Sequence, residues 1–218
     1  IKKNTYLLND SKKAKIIYNG VNLKNLKKNK INLNKVFKKG KKNFKVGMIS
    51  RIESNKGHMD LVECFYRLPK QIKNKLTIFF IGEGSKKFIS KLNYRISELN
   101  IKKKIIFTGF LKCESLYIAK KLNLLVSLTK DFEGFGLSLA EALSVKTPVL
   151  STKVGAVTEF LDKSNSVLVR PGDREEILLA LKDFATNQKK WNKKASIGKR
   201  RIEKHFTSDI MSKNFYKY

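Results

Sequence analysis

From about residue 44 onward, two kinds of hydrophobic pattern alternate along the chain. Short and nearly continuous apolar runs predict strands that are covered on both faces. These runs span residues 45–50, 76–81, 104–108, 123–128, 148–151 and 166–169. Amphipathic stretches that predict helices lie between them, at residues 57–68, 86–99, 115–121, 137–145 and 157–161. This repetition predicts crossover connections and a parallel sheet, so the expected fold class is a doubly wound, Rossmann-like α/β domain.

The pattern differs at the two ends of the chain. A turn with Asp173 as N-cap precedes a predicted helical tail at residues 175–186, 191–204 and 208–216. Residues 23–45 carry a dense Lys/Asn run of weak periodicity, which we interpret as a solvated connector. The aromatic residues of the tail are expected to pack its helices: Trp191, Phe206 and Tyr216.

Composition excludes several classes of protein. The chain of 218 residues is 41% hydrophobic, which is enough for a sizeable core. Its apolar runs, such as residues 78–81, are far below the ~18 residues that span a bilayer. Two cysteines without a CxxC motif exclude a disulfide scaffold and a zinc ribbon, and suit the cytoplasm. His58 is interpreted as an early helix residue and Cys64 as a core residue, and no metal site is expected.

The net charge of +30, from 48 Lys+Arg against 18 Asp+Glu, can be interpreted in two ways. It could mark a surface for nucleic acid or for an anionic membrane. However, few of the cations are Arg, the residue preferred for bidentate recognition of bases and phosphates. Lys, Asn and Ile share A- and T-rich codons, so a genomic bias explains their joint abundance. We therefore expect no nucleic-acid partner, and a peripheral contact with an anionic membrane stays open.

Ligands of doubly wound sheets bind outside the carboxyl ends of the strands. The loops at those ends are rich in Gly, Arg, Lys and Glu, which suits a phosphate-bearing ligand with several hydroxyls. They are residues 50–57, 82–84, 109–111, 129–136 and 152–155. In the first of them, Arg51 offers a bidentate fork and Lys56 a point charge, and together they could offset a diphosphate.

Glu133 and Glu141 form the second candidate element. Eight helical residues span about 12 Å, whereas the two carboxyls of glycosidases lie about 5–9.5 Å apart. The spacing therefore fits hydroxyl contacts at the two ends of a long ligand better than direct hydrolysis. Gly134 and Gly136 leave amides at a helix N-terminus, where anions are favoured. A nucleotide sugar matches this arrangement. The same residues would also be found if both glutamates were solvated helix residues that bind no ligand.

An ordered set of short motifs along the chain resembles the C-terminal half of the retaining GT-B glycosyltransferases of family 4, the glycosyl transferases group 1 domain. The resemblance runs from about residue 17 to 175. The motifs are Tyr18-Asn19-Gly20-Val21, Gly47 with Arg51, Lys56-Gly57, Ile81-Gly82-Glu83-Gly84, Phe107 with Gly109, Glu133-Gly134-Phe135-Gly136-Leu137 with Glu141-Ala142, Thr147-Pro148-Val149, and Pro171-Gly172-Asp173.

The resemblance implies that the chain binds a nucleoside diphosphate sugar. Arg51 and Lys56 would contact the donor diphosphate, and Glu133 the transferred sugar and its transition state. Glu141 would hold the ribose hydroxyls. The backbone of Gly134, Phe135, Gly136 and Leu137 would approach the phosphates and the sugar. The loop of Gly109, Phe110 and Leu111 would border the nucleobase.

The resemblance also implies transfer with retention, without a metal or other cofactor, to an unknown sugar or lipid-linked acceptor in polysaccharide, lipopolysaccharide or glycolipid synthesis. Residues 1–20 would be the remnant of a missing N-terminal domain and its joint, 21–188 the donor-binding domain, and 189–218 C-terminal helices. Lys146 departs from the family pattern, since it stands where Gly is common and would strain a left-handed position. The alternatives are a GT-B epimerase or phosphorylase, a basic binding module, or a pseudo-enzyme.

Overall fold

The computed structural model describes residues 16–24, 31–38 and 43–217. These residues form one sheet of six parallel strands with the order β3-β2-β1-β4-β5-β6. The strands are β1 (Phe44–Ile49), β2 (Leu76–Ile81), β3 (Ile105–Gly109), β4 (Leu124–Ser127), β5 (Val149–Thr152) and β6 (Val167–Val169). The doubly wound α/β fold predicted from the sequence is therefore confirmed.

Helices connect and cover these strands. In the described residues they are α1 (Leu33–Val36), α2 (His58–Arg67), α3 (Lys70–Lys75), α4 (Lys86–Glu98), α5 (Ser115–Ala119), α6 (Leu137–Ser144), α7 (Arg174–Thr186), α8 (Gln188–His205) and α9 (Ser208–Tyr216). Short 3-10 turns occur at Ser54–Lys56, Lys102–Lys104 and Gly155–Glu159. The side chain of Asp173 caps α7 by accepting a hydrogen bond from the amide of Glu176, as expected from the sequence.

The core has two halves because each strand is apolar on both faces. In β2, Ile78 and Phe80 belong to the half that also holds buried residues of α2, α4 and α7. Phe79 and Ile81 of the same strand belong to the other half, with residues of α5 and α6. Since all four side chains are buried, each is expected to contribute about 1.5–3 kcal/mol to folding. This two-sided burial explains why the strands read as continuous hydrophobic runs.

The C-terminal helices pack on the domain in part. Trp191 is buried and its Nε1 donates to Asp183 Oδ2 at 2.8 Å. Phe206 is also buried, and its carbonyl accepts from the amide of Val21 at 2.8 Å. Tyr216 is 87% exposed, so the prediction that it packs the tail is wrong. It lies in the last turn of α9, away from the contact with Val21 at the start of that helix.

Three other predictions need correction. The stretch 23–45 is not wholly a solvated connector, since Leu33 and Phe37 are buried. The ring of Phe37 packs on that of Phe79, with 4.8 Å between the ring centroids. Its residues 25–30 and 39–42, like residues 1–15 at the start of the chain, lie outside the described residues. The helix expected at 157–161 is a 3-10 turn that begins at Gly155, whose left-handed backbone (φ +57°) does not belong to an α-helix. Helix α3 was not expected, because it has no fully buried residue and hence no clear apolar face.

Candidate functional site

The candidate site lies where the strand order reverses direction. Strands β1 and β4 are neighbours in the sheet, yet their following connections lead to β2 on one side and to β5 on the other. The loops that leave such a point diverge and open a crevice for a ligand. Here the two loops are residues 50–57 after β1 and residues 128–136 after β4. They carry all three residues predicted to be catalytic: Arg51, Lys56 and Glu133.

An ion pair joins the two loops across this crevice. Lys56 Nζ lies 3.2 Å from Glu133 Oε2, and the two side chains are only 17% and 24% exposed. The hydroxyl of Thr129 donates to the same carboxylate oxygen at 3.2 Å. Partial burial makes such a pair stronger than one at the surface, because water screens it less. The arrangement holds an anionic carboxylate and a cation side by side at the mouth of the crevice.

The backbone of Glu133 is fixed from the side of β5. Its carbonyl accepts a hydrogen bond from the amide of Ala156 at 3.0 Å. A Cβ atom at Gly155 would lie 2.0 Å from that carbonyl oxygen, so only glycine allows the approach. The carbonyl of Thr129 in turn accepts from the buried hydroxyl of Thr152 at 2.6 Å. The loop after β5 therefore supports the loop that carries Glu133.

Two glycines follow Glu133 and lead into α6. Gly136 is the N-cap of α6 with φ +79°, a left-handed conformation that glycine adopts without strain. A Cβ at Gly134 would meet only a ring atom of Phe132 at 3.9 Å, so Gly134 faces open space. Leu137 is 45% exposed, whereas Phe135 is buried against Phe160 at 4.8 Å. The side chain of Phe135 is therefore core, and only its backbone borders the site.

Glu141 lies in α6 and has different partners from Glu133. Its carboxylate accepts a hydrogen bond from the hydroxyl of Ser115, the first residue of α5. Burial raises the pKa of Glu141 and the charge of Glu114 adds to this, while the Ser115 hydrogen bond opposes the shift. The two acids thus contact different elements, Glu133 the loop after β1 and Glu141 helix α5. Just beyond the other end of α6, Lys146 has φ +61°, the left-handed conformation that the family resemblance implies for this position.

Arg51 does not meet Glu133. Its side chain is 77% exposed and pairs with Glu53 at 3.1 Å. It lines a cavity of about 450 Å³ between the loops after β1, β2 and β3. The other residues that line this cavity are Ile49, Ser50, Ile81, Gly82, Glu83, Gly84 and Phe110. Lys56 therefore lies in the crevice between the loops after β1 and β4, and Arg51 lies at the neighbouring cavity on the same edge of the sheet.

Close backbone contacts shape this cavity. A Cβ at Gly82 would lie 2.1 Å from the carbonyl oxygen of Ser50, and one at Gly84 would lie 2.0 Å from that of Ile52. The amide of Ile52 donates to the carbonyl of Glu83 at 2.7 Å. The glycines that follow β2 thus let the second loop pack directly on the first.

The loop after β3 closes the same cavity. Gly109 has φ +69° and no atom within 4 Å of a Cβ position. Phe110 is 66% exposed and contributes to the cavity wall. Leu111 is 8% exposed and belongs to the core half that contains α5 and α6. Of these three predicted residues, Leu111 can therefore face a ligand only through its backbone.

Several residues beside the site were not singled out as site residues from the sequence. Ser115 and Thr129 hold the two acids, and Asp60 pairs with Lys130 in the loop after β4. His58, at the start of α2 as predicted, is fully buried, and burial lowers its pKa to about 4. Thr129 and Lys130 could have been found from the sequence, because they are polar residues that directly follow a predicted strand. Ser115 and Asp60 could not, because they lie in helices and their partners are distant in sequence.

Two features are absent from residues 16–24, 31–38 and 43–217: a cluster of metal ligands and a membrane-spanning helix. No group of three or more His, Cys, Asp or Glu side chains is placed to hold a metal ion in these ranges. No helix within them is both long enough and apolar enough to cross a membrane.

Comparison with known proteins gives one family. The family model described as "Glycosyl transferases group 1" matches residues 29–202. The chain is 30% identical over 111 residues to the O-antigen chain mannosyltransferase C of Escherichia coli, which covers 49% of this chain and 30% of that protein. It is 30% identical over 153 residues to the poly(glycerol-phosphate) alpha-glucosyltransferase of Bacillus subtilis, which covers 67% of this chain and 22% of that protein. The chain therefore spans less than half the length of these relatives.

Solved structures share the fold. HepE from Anabaena, crystallised in complex with UDP and glucose, superposes with a TM-score of 0.83 at 22% identity over 93% of this chain and 56% of that one. The C-terminal domain of the group 1 glycosyl transferase LpcC from Francisella tularensis gives a TM-score of 0.68 at 27% identity. That comparison covers 76% of this chain and 87% of the LpcC domain. The region described here thus corresponds in extent to a domain that was crystallised by itself.

Proposed function

The chain belongs to the glycosyl transferases group 1 family, and on that premise we propose that it binds the nucleoside diphosphate sugar donor of a retaining glycosyltransferase. The observation that carries the proposal is the partly buried pair of Lys56 and Glu133 at the point where β1 and β4 diverge. The complexes of HepE with UDP, and with UDP and glucose, support a donor of this class.

The proposed mechanism assigns Lys56 and Arg51 to the leaving group. A nucleoside diphosphate gains negative charge as the bond to the sugar breaks, and fixed cations that stabilise this charge lower the barrier. Lys56 is held at the crevice by Glu133, and Arg51, which is exposed and paired with Glu53, borders the adjoining cavity. The amides at the start of α6, beyond Gly134 and Gly136, would add the favourable end of the helix dipole.

Glu133 is assigned to the transferred sugar. Oε2 of its carboxylate accepts hydrogen bonds from Lys56 and Thr129, which hold the side chain in the crevice. In the proposed reaction this carboxylate stabilises positive charge at the anomeric carbon and does not attack that carbon. We propose a front-face reaction in which the acceptor hydroxyl forms the new C–O bond as the C–O bond to phosphate breaks. The proton of that hydroxyl passes to the departing phosphate oxygen, and no metal or cofactor takes part.

Glu141 and the cavity at Arg51 are assigned to the nucleoside. A carboxylate whose pKa is raised by burial still accepts hydroxyl hydrogen bonds, as it does from Ser115. Ribose hydroxyls offer the same chemistry. The cavity that Phe110 borders would take the base.

The acceptor is proposed to be a sugar or lipid-linked sugar of a polysaccharide, lipopolysaccharide or glycolipid. The names of the relatives from Escherichia coli and Bacillus subtilis support acceptors of that kind. The remainder of the enzyme, which the relatives have and this chain does not span, would bind the acceptor and close over the donor. We propose that the enzyme acts on the cytoplasmic side, at the surface of an anionic membrane.

The test uses the full-length enzyme, screened with UDP, GDP and ADP sugars. The variant Lys56→Met is expected to weaken nucleoside diphosphate binding at least about tenfold, because one charge-assisted contact is worth about 1.5–3 kcal/mol. Glu133→Gln is expected to lower kcat by about 10²–10³-fold, as for other groups that stabilise transition-state charge. The matched control is Arg67→Met, which breaks an exposed pair with Glu175 and leaves transfer unchanged.

Two results would overturn the proposal. Transfer at the wild-type rate by both site variants would remove the assigned roles. A product whose anomeric configuration is opposite to that of the donor, measured by NMR, would refute retention. Release of free sugar, or exchange with phosphate in place of an acceptor, would instead favour the epimerase or phosphorylase alternative.

A further inference from the structure

A carboxylate in the first turn of α2 is buried between two cations. The side chain of Asp60 is 3% exposed. Its Oδ2 lies 2.7 Å from Lys130 Nζ, and its Oδ1 lies 2.9 Å from Arg174 Nε. A buried charge is costly unless it is paired and hydrogen bonded, and here each oxygen has its own cation. The two cations come from different parts of the chain, so Asp60 joins both to α2.

Lys130 is one of these cations and lies three residues before Glu133. Its backbone amide donates to the carbonyl of Asn55 at 2.9 Å, so Lys130 is tied to the β1–α2 segment through both backbone and side chain. Phe132, which lies between Lys130 and Glu133, is 64% exposed and adds no buried anchor. The loop after β5 holds the loop that carries Glu133 from one side, and the contacts of Lys130 hold it from the side of the β1–α2 segment.

The same segment supplies the partner of Glu133. Lys56 lies four residues before Asp60, just ahead of α2. Asp60 therefore ties the loop after β4 to the element whose start carries Lys56. The other cation, Arg174, is the first residue of α7 and fixes that helix, and not the loop that carries Glu133, to α2.

We propose that Asp60 and Lys130 are positioning residues for the transfer reaction. Their ion pair fixes the loop of residues 129–136 so that Glu133 stays at its place beside Lys56. Neither residue is assigned a contact with the donor. The Asp60 side chain is 3% exposed, and the Lys130 ammonium pairs with it and not with Glu133. This inference rests on the proposed function, since Glu133 has a reaction to serve only if the enzyme transfers sugar.

The test compares two variants of the full-length enzyme that remove one cation each. Lys130→Met and Arg174→Met both leave Asp60 with one partner, so both are expected to lower the melting temperature by similar amounts. Lys130→Met is expected to lower kcat about tenfold, since small misplacements of a catalytic group are costly, with KM for the donor within about twofold. Arg174→Met is expected to keep kcat within about twofold. Lys130→Arg, which restores the charge, is expected to recover most of kcat.

A second measurement does not depend on activity. Hydrogen exchange of the backbone amides in residues 129–136 is expected to speed up in Lys130→Met and to stay unchanged in Arg174→Met. Unchanged exchange and kcat in Lys130→Met, equal losses of kcat in both variants, or failure of Lys130→Arg to recover would overturn the positioning role. If Glu133→Gln keeps full transfer, the role assigned to Glu133 has failed, and hydrogen exchange alone then decides whether Lys130 fixes the loop. If the wild-type enzyme transfers no sugar from any of the tested donors, the proposed function itself has failed.

Discussion

His58 offers a sharp test of the electrostatics beside the candidate site. The imidazole is fully buried at the start of α2, and its ring packs edge-on against Phe80 at 4.9 Å. The ring nitrogens have no hydrogen-bond partner of normal geometry among the residues that the structure describes. Burial lowers the pKa of His58 from its usual 6.5 to about 4; a backbone interaction with Glu53 opposes this shift, and the charge of Lys56 adds to it. The perturbation is His58→Leu, which keeps an apolar side chain at the position and removes the titration.

The sign of the effect follows from this shift. Because the folded pKa lies below the unfolded value, the unfolded chain takes up a proton first as the pH falls. Stability is therefore lost as the pH falls from about 6.5 toward 4. Between pH 7.5 and pH 5 the loss from this one group is about 2 kcal/mol of unfolding free energy. The raised pKa of Glu141 acts in the opposite direction, but it is common to the wild type and the variant and cancels in their difference.

The assay is urea unfolding of both proteins at pH 7.5 and pH 5. The wild type is expected to lose about 2 kcal/mol more than His58→Leu between these two values. At pH 7.5 the variant is expected to be at least as stable, because replacing an unpaired buried polar group by an apolar one is neutral or favourable. Parallel losses in the two proteins would refute the assignment of a buried and neutral His58.

Two further predictions concern the thiols and the glycine beside the site. Burial raises the pKa of Cys64 to about 12, so iodoacetamide at pH 8 is expected to modify the partly exposed Cys113 first. Equal rates of modification of the two thiols, followed by mass spectrometry, would contradict this. Gly155→Ala places a Cβ against the carbonyl of Glu133 and is expected to lower the melting temperature well beyond Gly172→Ala. The control has only its left-handed backbone to strain, which costs about 1 kcal/mol, so equal melting temperatures would show that the contact does not matter.

Much of the fold could be predicted because local patterns determine it. The run at 76–81 coincides with β2, since every residue of that strand is buried and the hydrophobic signal has no gap. The prediction failed where the apolar signal was diluted. Leu33 and Phe37 are core residues in a segment dominated by Lys and Asn, so two apolar letters did not stand out as a buried helix. At Tyr216 the aromatic letter alone suggested packing, and nothing local indicates that the last turn of α9 is exposed.

The loops that carry the candidate site residues could be predicted from the sequence, but the contacts of their side chains could not. That Arg51 and Lys56 act on one diphosphate stays a prediction, and in the structure Lys56 pairs with Glu133 while Arg51 lines the adjoining cavity. The difference arises within one short loop. Arg51 directly follows the end of β1, whereas Lys56 ends a 3-10 turn that leads toward α2. The sequence separation of two residues does not determine the direction of their side chains in such a turn.

The strand order is what turns these motifs into a site. A strand–helix alternation predicts a parallel sheet but is compatible with several orders of the strands. Lys56 and Glu133 are 77 positions apart, and they meet because β4 lies next to β1 on the side opposite β2. If β4 followed β3 at the far edge of the sheet, two strands would separate the loops after β1 and β4, and at about 4.8 Å per strand spacing the pair could not form. The contact between Lys56 and Glu133 is thus a consequence of topology, and so is the contact between Asp60 and Lys130 beneath it.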